Sequence, residues 1–152
     1  MKIALGSDDS TPLTDFVADD LAGRGHEVLR AGALADGDDA RWPAVGQRVG
    51  GLVASGACEQ GILFCYTGTG VSMAANKIAG VRAALCTDAQ TAAGARQWND
   101  ANVLVMSLSS TSPDEARGIL DAWFSARAGD DEDAEMVRML NAMGSASPGP
   151  ER

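Results

Sequence analysis

The sequence predicts an α/β fold: a parallel sheet covered by helices on both faces. Three observations carry that prediction. Short apolar runs of strand character alternate with longer segments of helical periodicity. Five such strands appear in this alternation, which is the pattern of a parallel sheet rather than of hairpins. The run QGILFC (residues 60–65) is almost continuously apolar, as a strand buried on both faces should be.

Taken in order, residues 2–6 (KIALG) form the first strand. Thr11-Pro12 then reads as an N-cap followed by proline at the first helical position. Leu13, Phe16, Val17 and Leu21 supply the apolar stripe of that helix, and Gly23 and Gly25 end it. Residues 27–30 (EVLR) are a second strand, and an Asp- and Gly-rich loop spans residues 31–40. Trp42-Pro43 opens a second helix with Val45, Val49, Leu52 and Val53 on its apolar face. After the third strand, residues 60–65, a glycine loop leads into a helix near residues 71–77. Residues 81–86 (VRAALC) are a fourth strand, residues 89–98 a fourth helix, and residues 103–108 (VLVMSL) a fifth strand. Ser112-Pro113-Asp114-Glu115 combines a cap, a proline and two acids at the positive end of a helix dipole, so a helix starts there and runs to about Arg127. A last helix covers residues 130–143, with Met136, Val137, Leu140 and Met143 apolar. The 152 residues fit one domain, residues 1–143, and the composition GSASPGPER predicts a disordered tail over residues 144–152.

Composition narrows the partners. The net charge of −9 argues against nucleic acid or an anionic membrane, both of which need a cationic surface. No run is long and apolar enough to span a bilayer, and Met1-Lys2 leads straight into a strand, so a cytoplasmic location is expected. Cys58, Cys65 and Cys86 form no CxxC, and His26 is the lone histidine, so neither a metal nor another cofactor is expected.

In open α/β sheets ligands bind beyond the carboxyl ends of the strands. Those ends here carry Ser7-Asp8-Asp9, Cys65-Tyr66-Thr67-Gly68, Thr87-Asp88 and the Ser107 region. The stretch FCYTGTGVSMAANK (residues 64–77) admits three readings. As a nucleotide loop it lacks the third glycine of GxGxxG, and no GxxxxGK[ST] is present. As a structural turn it needs only its glycines and an inert buried cysteine. As a reactive site, Cys65 faces a helix start whose dipole favours a thiolate, and the amides of Gly68, Thr69 and Gly70 cradle a developing oxyanion. Thr67 would donate a hydroxyl hydrogen bond there. A thiolate moving a proton beside a carbonyl, with the enediolate held by amides, is a coherent isomerase arrangement.

The segments KIALGSD, CYTGTGVSMAANK, VRAALC, NDANVL and Ala122-Trp123 occur in this order over residues 1 to about 140. Together they resemble the type B ribose-5-phosphate isomerases and the galactose-6-phosphate isomerase subunits. The resemblance implies a three-layer αβα Rossmann-like sandwich. It also implies a C-terminal helix used in dimerisation, and a homodimer or tetramer with its active sites at the subunit interface. The implied chemistry is aldose–ketose interconversion of a small sugar or sugar phosphate through a cis-enediol(ate), without a metal. Cys65 would be the catalytic base, since the glutamate used by a second branch corresponds to Val71 here. Thr67 and the loop amides would hold the enediolate, and Asp8 and Asn99 would contact the sugar.

Several positions depart from that family's pattern. Asp9 and Trp98 stand where histidines are usual, the second of them being the ring-opening group, and Tyr66 stands where a glycine is usual. Glu132, Met136 and Ser109 align with arginines that hold the substrate phosphate. Asp9, Tyr66 and Trp98 are nonetheless candidate sugar contacts with Gly68, Thr69 and Gly70. Carboxylates in place of the arginines would repel a dianion, so the expected substrate departs from the standard phosphopentose. The alternative is a non-catalytic member, a binding module or the partner subunit of a hetero-oligomer.

Overall fold

The computed structural model describes residues 1–144, so the tail expected over residues 144–152 lies, from residue 145 on, outside the described residues. Five strands form one all-parallel sheet in the order β2-β1-β3-β5-β4. They are β1 Lys2–Ser7, β2 Glu27–Gly32, β3 Gln60–Cys65, β4 Ala83–Leu85 and β5 Val103–Ser107. Six helices accompany them: α1 Pro12–Gly23, α2 Trp42–Ala54, α3 Thr69–Asn76, α4 Ala89–Asn99, α5 Pro113–Ser125 and α6 Asp131–Ala142.

The helix starts follow the sequence signals closely. Thr11 and Ser112 both form capping boxes, with Thr14 and Glu115 returning the bond to the cap backbone. Asp88 caps α4 by accepting from the Thr91 amide at 2.7 Å, and Asp130 forms a third capping box with Asp133.

Side-chain alternation along each central strand builds two cores. Ile3, Leu5, Ile62, Phe64, Leu104 and Met106 face one way and meet α1, α4 and α5. Ala4, Leu63, Cys65, Val103 and Val105 face the other way and meet α2 and α3. The second layer is thin because small residues let α2 approach the sheet. A Cβ on Gly6 would lie 2.7 Å from Val49 Cγ2, and one on Gly61 would be equally close to Val49 Cγ1. The first layer is thicker and centres on Trp123, whose indole nitrogen donates to Gln60 Oε1 at 2.9 Å.

The fourth strand is shorter than the sequence suggests. Only residues 83–85 pair with β5, against the six expected. Val81 is taken into a turn, its amide donating to Ile78 O, and the Arg82 amide donates to Asn102 Oδ1 instead of to a strand. With β5 on one side only, β4 is the sheet's edge.

Candidate functional site

The parallel register brings three strand ends side by side. Ser7 pairs with Phe64, and Cys65 pairs with Ser107, so β1, β3 and β5 end at one level. The chain leaves β3 through an exposed Tyr66 and Thr67, and then reaches Gly68, which caps α3 in the left-handed region at φ +81°. A Cβ on Gly68 would lie 2.6 Å from Leu85 Cδ1, so glycine is required here by both conformation and space. The Tyr66 carbonyl accepts from Ser107 Oγ at 2.9 Å and from the Ser109 amide at 3.0 Å, which fixes the loop to the end of β5.

No side chain caps α3. Its first intrahelical bond runs from the Ser72 amide to Gly68 O, leaving the Thr69, Gly70 and Val71 amides without an acceptor inside the helix. The Thr69 amide reaches Thr67 Oγ1 at 3.4 Å, and the two threonine hydroxyls lie 2.7 Å apart. The loop is thus a ring of donors at the positive end of a helix, with hydroxyls able to turn toward a bound oxygen. The glycine-loop residues predicted from sequence therefore do gather around one turn.

Cys65 sits on the α2–α3 side of the sheet, in the aliphatic cluster that contains Val71, Ala75 and Val105. It retains 5% of its surface, more closed than an open thiolate site implies, because its side chain alternates inward from the last position of a covered strand. Cys58 and Cys86 are buried and free, and burial pushes both thiols up, Cys86 to about 11.

Asp8 follows β1 at the same end of the sheet. Burial raises its carboxyl above the ordinary value; a backbone hydrogen bond opposes this, and repulsion from Asp9 adds to it. Asp9 is exposed and turns back to accept from the Ser10 amide at 2.9 Å.

One residue at this end was legible in the sequence only as a helix start. Trp42, the first residue of α2, lays its indole on Gly70: a Cβ there would sit 2.9–3.4 Å from three ring atoms. Trp42 is 46% exposed and lines a cavity of about 720 Å³ together with Asp8, Asp39, Arg41 and Gln47. An aromatic residue placed before proline, just after a loop at a strand's carboxyl end, is the signal that could have drawn attention to it.

Trp98 and Asn99 do not join this group within one chain. Helix α4 begins beside the carboxyl end of β4 and runs back toward the start of β5. Its eleven residues carry Trp98 and Asn99 to the other end of the helix, roughly 14–15 Å along its axis from Ala89. Trp98 lies against Gly94 of its own helix and is 53% exposed, lining a second cavity with Leu85, Thr91 and Asn99.

The arginines are largely engaged in holding the fold. Arg82 donates to Asp100 O at 2.8 Å, to the Asp100 carboxylate and to Asn141 Oδ1, pinning α6 to the turn after α4. Arg96 donates to the Asp100 carboxylate at 3.3 Å and to Ala101 O, and its guanidinium stacks on Trp123. Arg138 is bound to Glu135. Arg41 stands at the rim of the Asp8 cavity, and its guanidinium holds the Asp39 carboxyl down to about 2. Among the described residues no group of three or more His, Cys, Asp and Glu side chains is arranged to hold a metal ion, and no helix is long and apolar enough to cross a membrane.

An all-parallel five-stranded sheet with a glycine loop opening a helix at a central strand's carboxyl end defines a Rossmann-like α/β protein. Comparison with known proteins agrees. Residues 3–140 match the model of the Ribose/Galactose Isomerase family. The chain is 35% identical over 143 residues to ribose-5-phosphate isomerase B of Escherichia coli K12, spanning 93% of this chain and 95% of that protein. It is 32% identical over 127 residues to D-erythrulose-4-phosphate isomerase of Pectobacterium atrosepticum, spanning 83% and 84%. The solved structure of ribose-5-phosphate isomerase B from Clostridium thermocellum superimposes with a TM-score of 0.88 at 36% identity, spanning 95% and 98%. The chain belongs to the ribose/galactose isomerase family, and sugar isomerisation is the activity that membership carries.

Proposed function

We propose that this protein interconverts an aldose and a ketose through a cis-enediolate, with Cys65 as the base. The thiolate takes a proton from the carbon beside the substrate's carbonyl. The electron pair moves onto the carbonyl oxygen, and the enediolate is held by the amides of Gly68, Thr69 and Gly70 and the hydroxyl of Thr67. The neighbouring hydroxyl passes its proton to the enediolate oxygen, and the Cys65 thiol returns the carbon-bound proton to the former carbonyl carbon, which gives the isomer with no net oxidation and no cofactor. The observation that carries this reading is the uncapped start of α3, which follows Cys65 by a loop of only three residues.

The substrate is a sugar or sugar derivative other than the standard phosphopentose. Asp8 and Asp39 make the crevice acidic, and the guanidinium that lines it, Arg41, is already engaged by Asp39. Asp8, Asp9, Tyr66, Trp98 and Asn99 are the sugar contacts. The two relatives named above act, by their names, on sugars of different length, which supports variation in the substrate end.

The working unit is a homodimer or tetramer with the site at the subunit interface, where Trp98 and Asn99 of a second copy reach the Cys65 loop. Their place at the far end of α4 supports this reading. So does α6, none of whose residues is buried, with Met136, Met139 and Leu140 exposed at 45–59%. Three free, buried thiols fit a cytoplasmic setting.

Proton exchange in deuterated water tests the chemistry. Ribose, galactose, their phosphate esters and erythrulose 4-phosphate would be followed by NMR. Deuterium entering at the carbon beside the carbonyl, and lost in Cys65→Ser, is the expected result. No Cys65-dependent exchange with any of them would leave a sugar-binding subunit without catalysis.

A further inference from the structure

We infer that the Trp42 indole is a wall of the sugar pocket and a determinant of which sugars are held. The inference rests on the isomerase reading and adds a residue to it. Three features of the structure carry it. The first is placement: α2 packs on α3 and on β1 and β3, so its first residue is delivered to the same strand ends that carry Asp8 and Cys65. The second is a fitted contact: Gly70, in the first turn of α3, lies under the ring so closely that any Cβ would displace it. One part of the indole therefore rests on the backbone of the proposed oxyanion cradle. The third is exposure: with that contact made, Trp42 is still 46% exposed and lines the cavity it shares with Asp8.

A polyhydroxylated substrate presents apolar C–H faces and polar edges. Pockets for such molecules combine an aromatic surface with a few placed polar groups. Trp42 offers the first to the substrate's non-reacting carbons. Asp8 offers the second, accepting from hydroxyls. Because the same indole bears on Gly70, a sugar seated against it is also brought into register with the amides that receive the enediolate. Trp98, the other half-exposed indole, lies against its own helix at Gly94 and has no such contact with the loop.

The test uses the full-length protein labelled with 5-fluorotryptophan. Its three tryptophans give three fluorine resonances, and Trp42→Phe assigns one of them. Titration with the sugars and sugar phosphates above should shift the Trp42 resonance with the same saturation curve as overall binding. Trp42→Leu keeps an apolar cover over Gly70 but removes the aromatic face; it should raise KM about tenfold or more, with kcat changed by no more than about threefold. Trp42→Phe should recover most of the loss. An unmoved Trp42 resonance under saturating sugar, or a folded Trp42→Leu with unchanged KM, overturns the inference. Sugar binding that shifts Trp42 in Cys65→Ser protein, without turnover by the parent, supports the wall while refuting the base.

Discussion

The side-chain amide of Asn76 pairs with the backbone of Ala83 as a neighbouring strand would. Asn76 Nδ2 donates to Ala83 O at 2.9 Å, and Asn76 Oδ1 accepts from Ala83 N at 2.8 Å. Ala83 opens the edge strand β4, so the last residue of α3 satisfies groups that would otherwise offer pairing to another chain. Asn76→Ala should cost about 1–2 kcal/mol, two exposed hydrogen bonds at modest net value each. Urea unfolding with an unchanged slope checks the figure. Light scattering at raised concentration checks the accompanying gain in self-association.

Gly68→Ala places a Cβ at φ +81° and within 2.6 Å of Leu85. Strain of that kind costs on the order of 1–3 kcal/mol, and the loop has no freedom to relax while Tyr66 O is held by Ser107 and Ser109. Thermal unfolding should show the loss of stability. Isomerase activity should fall further than stability does, because the α3 amides move with the loop.

Cys65→Ser is nearly isosteric, so its melting temperature should stay within a few degrees of the parent while exchange activity falls by at least about a hundredfold. A serine hydroxyl is not ionised at neutral pH. Activity that survives the change would place the base elsewhere.

Two carboxyls should titrate with opposite effects on stability. Asp8 is raised in the folded protein, so its contribution is most favourable below its unfolded pKa and is lost as pH rises through the folded value. Asp8→Asn should therefore melt higher than the parent at pH 7, with the gain vanishing near pH 3. Asp88 is depressed by its bonds to the Thr91 amide and hydroxyl, so its contribution is present above the unfolded pKa and is lost as pH falls through the folded one. Asp88→Ala should melt lower at pH 7, with the deficit closing in acid. Melting curves of the two variants from pH 2.5 to 7 decide both signs.

Arg82 joins three segments distant in sequence: Gly80, Asp100 and Asn141. Its side chain is 14% exposed, so truncation removes its packing along with its hydrogen bonds to these acceptors. Arg82→Ala should cost about 2–3 kcal/mol, and Arg82→Lys should recover little of it, because one ammonium cannot span the same fork of acceptors. Amide hydrogen exchange should quicken first in α6, none of whose residues is buried.

The alternation of strand and helix, the caps at Thr11 and Ser112, and the glycine loop after Cys65 were all readable from the chain. Each is a local matter of periodicity, side-chain reach or allowed φ, acting over a few residues. The family motifs likewise lie in continuous stretches. Three facts were decided only by folding. Residues 81–82 look like strand but leave the ladder, because Asn102 and a turn claim their amides. Trp42 becomes part of the strand-end crevice because α2 lies close enough to α3 for its ring to reach Gly70. Trp98, which the family resemblance set among the sugar contacts, lies against Gly94 of its own helix and lines a cavity with Leu85 and Thr91. Each depends on which surfaces meet across tens of residues of chain, and such meetings are set by packing volume and helix direction rather than by the residues' own preferences.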